Sequence, residues 1–219
     1  MTAVVDLVRV ERAALLELLE TLGPPQWATP SLCPGWDVQA VAAHLAWASV
    51  LSPLELLREL GRARGRPNRL VAETAVRWSA RGPAAILDQL RRDLDTDAKP
   101  LGMPWDAALV DAVVHGLDVR RPLGVSRTFP AETFHRVADF STRARWPTSM
   151  LLGGAARRVA GVRLVAADQD WSTGAGPEVR ASAAATLLLV TGRPVDPAEL
   201  SGPGLPVLVA RLGPADRTG

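Results

Sequence analysis

The chain has 219 residues, 47% apolar and 22% charged, a balance that excludes a disordered protein and suits one large or two small domains with a buried core. Against 25 Lys and Arg stand 23 Asp and Glu, a formal net charge of +2. With no basic stripe, zinc-finger or helix-turn-helix pattern, nucleic acid is excluded as the expected partner.

In chain order, residues 3 to 22 place Val4, Leu7, Val8, Leu15, Leu18, Leu19 and Leu22 on one side of a helix. Arg9, Glu11, Arg12 and Glu20 remain for the solvent side, and Gly23-Pro24-Pro25 ends the helix. Asp6 and Glu11 interrupt the apolar run that a secretory signal would need. A loop from Trp27 to Trp36 follows. Asp37 then suits the N-cap of a helix carrying Val38, Val41, Leu45 and Ala48. His44 falls within that apolar face, either as a hydrogen-bonded core histidine or as a ligand. The single cysteine, Cys33, excludes an internal disulfide framework and makes a reducing cytoplasm the expected compartment. It lies just before a helix start, where a thiolate is favoured.

Further helices are expected at Pro53 to Arg62, at Leu70 to Ser79 and from Pro83, the last with Ile86, Leu87, Leu90 and Leu94. Gly61 to Pro67 reads as an exposed connection. A stronger segment runs from Pro104 to Pro122, two residues suited to starting and stopping a helix. Between Ala107 and Val119 its only polar side chains are Asp111, His115 and Asp118, spaced i, i+4, i+7 on one face. That pattern is half of a metal site or a narrow solvated stripe. No run is apolar and long enough to span a bilayer.

After about Pro130 the pattern changes. A helix to Ala144 buries Phe134, Val137 and Phe140, with His135 beside them as a surface or packing residue. Val162 to Asp168 alternates like a strand, Asp170 to Pro177 reads as a turn, and Glu178 to Ala181 as a short return strand. Ala183 to Val190 is a helix ended by Gly192-Arg193-Pro194. Pro206 to Leu212 is a last helix before a frayed polar tail. The expected fold class is mainly α, with an antiparallel helix bundle over 1–128 and a small α+β domain over 129–219.

Three separated motifs now carry a resemblance. They are Pro30-Ser-Leu-Cys-Pro-Gly-Trp36 with Val41-Ala-Ala-His44-Leu45, Asp111 to Gly124, and Asp170-Trp171 through Gly176-Pro177-Glu178-Val179-Arg180. Together they resemble the actinobacterial mycothiol-dependent maleylpyruvate isomerase family. That family joins a DinB-like four-helix metal-binding domain to a C-terminal α+β domain similar to sterol carrier proteins. The resemblance implies that His44, Asp111 and His115 hold a divalent metal, zinc first, with Fe²⁺ or Ni²⁺ suited to the same donors. Three protein ligands leave coordination open, as in catalytic sites. It further implies mycothiol as a low-molecular-weight thiol cosubstrate, so that Cys33 packs in its loop.

Asp118 matches a family position outside the three ligands, where it would orient a ligand imidazole or accept a proton; the alternative is an exposed Asp paired with Arg121. Trp36 and Trp171 are expected as core or inter-domain anchors. The implied chemistry is attack of a metal-activated thiolate on a small electrophilic substrate, giving isomerisation if the sulfur leaves again and transfer if it stays. Arg180 and Arg193 are candidates for substrate carboxylates. A metal-dependent hydrolase and a non-catalytic metal- or small-molecule-binding module remain alternatives. No membrane partner is expected, and both a monomer and a homodimer remain open.

Overall fold

A computed structural model describes residues 2–144 and 154–212. The chain divides after Val125 into two compact units. No helix among the described residues is long and apolar enough to cross a membrane. The mainly helical architecture expected from sequence is the one observed.

The first unit contains α1 (Val4–Glu20), α2 (Pro24–Trp27), α3 (Val38–Val50), α4 (Pro53–Arg62), α5 (Pro67–Ser79), α6 (Gly82–Thr96) and α7 (Trp105–Arg120). α1 packs on α6 and α7, while α3 packs on α5, α6 and α7, so α1, α3, α6 and α7 form the bundle. Leu15, Leu19, Val38, Val41 and Ile86 meet in its core. Asp37 caps α3 as expected, accepting from the Ala40 N–H at 2.7 Å.

Two expectations for this unit fail. Glu11 is only 2% exposed, and Arg12 is half-buried with its guanidinium donating to the Ala98 carbonyl. The solvent side of α1 is therefore narrower than its charges imply. The solvated-stripe reading of α7 also fails, because every residue from Ala107 to Arg120 except Asp111 is buried. A helix buried all round sits at the centre of its unit.

The second unit contains α8 (Ala131–Arg143), α9 (Ala155–Arg158), β1 (Arg163–Ala166), β2 (Trp171–Gly174), β3 (Glu178–Ala181), α10 (Ala183–Val190) and α11 (Leu205–Leu212). The sheet order is β2-β1-β3. The stretch read as a turn contains β2, antiparallel to β1. The expected return strand β3 instead runs parallel to β1. Gly174 and Glu178 both register with Arg163, so Ala175-Gly176-Pro177 must cross beneath the start of β1.

Glycine makes that crossing possible. A Cβ on Gly176 (φ +131°) would sit 2.4 Å from the Gly161 carbonyl oxygen, and one on Gly174 (φ +79°) 2.4 Å from that of Val162. Trp171 anchors this unit from within, its Nε1 donating to Asp139 at 2.9 Å and its ring meeting Phe134 edge-on. His135 is half-buried against Phe134. The expected frayed tail, 213–219, lies outside the described residues.

Candidate metal centre

The site lies in the first unit, where α3 and α7 face each other. His44 comes from the middle of α3, and Asp111 and His115 come from successive turns of α7. His44 Nε2 lies 3.7 Å from Asp111 Oδ1, and His115 Nε2 lies 3.5 Å from the same oxygen. One ligand atom from each residue fits within 4.8 Å of the other two. Tetrahedral zinc with bonds near 2.0–2.1 Å separates adjacent donors by about 3.3–3.4 Å, so a shift of a few tenths of an ångström would suffice. The donors also suit such an ion chemically, as two imidazoles and a carboxylate on a partly open site.

Asp118 is placed on the far side of His115. It is fully buried, which excludes the exposed Asp of the alternative reading. Its Oδ2 lies 2.8 Å from His115 Nδ1 and accepts from Cys33 Sγ at 3.1 Å. A carboxylate on Nδ1 fixes the ring and leaves Nε2 for Asp111 or a cation, the arrangement that usually supports a metal-binding histidine. His44 lacks such support. Its Nδ1 is buried with no hydrogen-bond partner among the described residues.

Burial alone would push the His115 imidazole down. The Asp118 and Cys33 hydrogen bonds and the charge of Asp111 outweigh it and raise its pKa to about 10. Burial likewise works to raise Asp111, yet the close approach of His44 and the neighbouring charges of His115, His44 and Arg12 hold it at about 2. Without a cation, the cluster thus pairs the Asp111 carboxylate with a protonated His115 at neutral pH.

The loop from Pro30 to Asp37 builds the site's cover. Ser31 Oγ accepts from the Cys33 N–H and donates to the Trp36 carbonyl. Trp36 N–H closes a turn on the Cys33 carbonyl, with Pro34 at its second position and Gly35 (φ +78°) at its third. Leu32 N–H bonds the Asp118 carbonyl, docking the loop on α7.

The loop therefore sets Trp36 beside both imidazoles, with ring centroids 5.3 Å from His44 and 6.2 Å from His115. The anchor expected at Trp36 is thus also a wall of the site, and Cys33, expected only to pack, bonds its supporting carboxylate. Cys33, His115 and Asp118 form a second cluster of possible ligands. Their hydrogen bonds already occupy Nδ1, so they serve as the support of the first cluster. Arg12 is the charged neighbour that helical periodicity assigned to solvent.

Arg180 and Arg193 belong to the second unit. Arg180 is exposed on β3 and donates to Glu178 at 2.7 Å. Arg193 follows α10 and donates to the Thr191 carbonyl at 2.8 Å.

The fold and the paired histidines define a helix-bundle protein with a candidate three-ligand metal centre. Residues 8–141 match the family described as the mycothiol maleylpyruvate isomerase N-terminal domain, and the chain belongs to that family, a family of enzymes. A crystal structure of the mycothiol-dependent maleylpyruvate isomerase superposes with a TM-score of 0.61 over 91% of each chain at 16% identity. A histidine-to-alanine mutant of that isomerase gives the same TM-score and coverage at 15% identity. These likenesses show the shared fold. Two uncharacterized proteins of Mycobacterium tuberculosis, MT0041 of strain CDC 1551 and Rv0036c of strain H37Rv, are each 29% identical over 163 residues. Each match covers 63% of this chain and 63% of the relative's own length.

Proposed function

We propose that this protein is a metal-dependent, mycothiol-using isomerase or S-transferase for a small electrophilic substrate. His44, Asp111 and His115 would hold the cation, zinc by preference for a two-imidazole, one-carboxylate set that leaves coordination open. A divalent cation there supplies Lewis acidity that favours thiolate over thiol at neutral pH. Asp118 holds the His115 ring in one tautomer, and Cys33 shares that carboxylate. Trp36 covers the imidazoles and excludes water from one side. The observation that carries the reading is the convergence of both Nε2 atoms on Asp111 Oδ1, with Asp118 behind one of them.

Arg180 and Arg193 stand as proposed partners for substrate carboxylates, which would replace their present contacts with Glu178 and Thr191. A cytoplasmic location is proposed with them, because Cys33 is a free thiol.

The test is elemental analysis of the purified protein and of His115→Ala, followed by turnover assays with and without mycothiol. Stoichiometric metal, lost in His115→Ala, with thiol-dependent conversion supports the proposal. Stoichiometric metal retained in His115→Ala overturns the ligand set. Metal-dependent turnover that needs no thiol would instead identify a hydrolase.

A further inference from the structure

No residue of α4 is buried, although four of its ten are leucine. Leu60 packs against the small core of Trp47, Ala63 and Leu70. Leu54 and Leu57, three positions apart and so neighbours on the helix surface, remain 67% and 66% exposed. Scattered exposed leucines are ordinary, whereas these two adjoin a dense run of charge. Residues 53–69 hold five arginines, all exposed, against two glutamates. Both glutamates are engaged: Glu55 caps α4 together with Ser52, and Glu59 pairs with Arg62 and Arg77. The side chains of Arg58, Arg64 and Arg66 make no hydrogen bond or ion pair among the described residues. Arg64 even takes a left-handed backbone (φ +54°), where glycine or asparagine would cost less. The net charge of +2 conceals this local excess.

We propose that α4 and the turn after it dock on an anionic lipid surface. A helix lying in the plane of a bilayer interface sets leucines against the acyl chains and cations at the phosphates beside them. Arg58 is one turn beyond Leu54 and adjacent to Leu57, placed to meet a phosphate while the two leucines insert. Such a contact stays in the interface and needs no spanning segment. The charge argues against a second copy as the occupant, because a two-fold contact would bring the arginines of one face toward those of the other. Protein interfaces centre on aromatic anchors held in pockets, and α4 carries no aromatic side chain. A bilayer requires no matching pocket. No residue of this surface belongs to the candidate metal centre, so docking does not depend on the proposed chemistry.

The experiment is co-sedimentation of the full chain with vesicles of phosphatidylcholine alone and of phosphatidylcholine mixed with phosphatidylglycerol, titrated at low and high salt. Polyglutamate serves as a soluble acidic comparator, and light scattering reads the mass of the free protein. Binding to the anionic vesicles, abolished by high salt and absent from neutral ones, supports the docking. It should weaken about five-fold in Arg58→Gln and in Arg64→Gln, the loss of one cation at the surface. Leu57→Ser should weaken it about ten-fold by removing an inserted side chain. All three variants alter exposed side chains, and circular dichroism checks their folding. Chelator-treated protein should bind equally well, which separates docking from the metal centre. No binding to either vesicle, equal binding to neutral vesicles, polyglutamate bound as tightly as vesicles, affinity untouched by Leu57→Ser, or a concentration-dependent dimer lost in Leu57→Ser would overturn it.

Discussion

Asp118→Asn isolates the support of the proposed metal centre from its candidate ligands. The substitution preserves shape but removes a charge that is fully buried and shared by His115 Nδ1 at 2.8 Å and Cys33 Sγ at 3.1 Å. Both bonds go to Oδ2, so an asparagine carbonyl placed there still accepts but without the charge, and a flipped amide would present N–H to both donors. Losing a carboxylate behind a metal-binding imidazole costs about 10–100-fold in metal affinity, or roughly 1.4–2.7 kcal/mol. The assay is a competition titration of the metal-free protein against a chelating dye, with His115→Ala as the ligand-loss reference. Proton-detected nitrogen NMR of the His115 ring supplies a second readout, because its pKa in the metal-free protein should fall below about 10. An Asp118→Asn protein with unchanged metal affinity and an unchanged His115 titration would refute the positioning role.

Three other outcomes are expected. In metal-free protein the raised His115 pKa gives stability that is complete below its ordinary 6.5 and lost as pH rises through about 10. The depressed Asp111 pKa gives stability that is complete above 3.8 and lost as pH falls through about 2. Thermal unfolding of chelator-treated protein should therefore show both contributions intact between pH 3.8 and 6.5 and fading on either side, whereas metal affinity should rise with pH as the cation displaces a proton from His115. Calorimetry in buffers of different ionisation enthalpy checks that proton release. Gly176→Ala should destabilise the second unit by about 2 kcal/mol or more in urea unfolding, because its Cβ meets the Gly161 carbonyl oxygen at 2.4 Å; an unchanged midpoint would disprove the crossing geometry. Asp37→Ala should cost about 1 kcal/mol by removing the cap of the helix that carries His44, read as a lower midpoint in circular dichroism.

The spacing survives folding: Asp111 and His115 stay one turn apart on a helix and His44 stays on the apolar side of another, while their grouping as one ligand set was implied by the family resemblance and not by the spacing. Glu11 and Arg12 were misread because helical periodicity counts charge as exposure, whereas Arg12 finds a backbone carbonyl to bond inside the unit. Trp36 reaches the imidazoles through a turn fixed by Ser31 and Gly35, and no periodic pattern encodes where such a loop docks. In the second unit, Gly174 and Gly176 were legible as turn residues. Their cause is a close passage beneath β1, a contact between segments more than ten residues apart. For the same reason the direction of β3 was read wrongly.

The strength of the metal reading comes from how completely α7 is buried. On a surface helix Asp111, His115 and Asp118 would each find water, and their spacing would mean little. Here a buried polar group without a partner costs about 1–3 kcal/mol, so the pairings are informative. Asp118 is matched by His115 and Cys33, and His115 Nδ1 by Asp118. Asp111 alone turns one oxygen toward two imidazoles at 3.5 and 3.7 Å, longer than a good hydrogen bond to either. Three donors spaced too far apart for good hydrogen bonds to one another, and close enough to share a cation, are the geometry on which the proposed metal site rests.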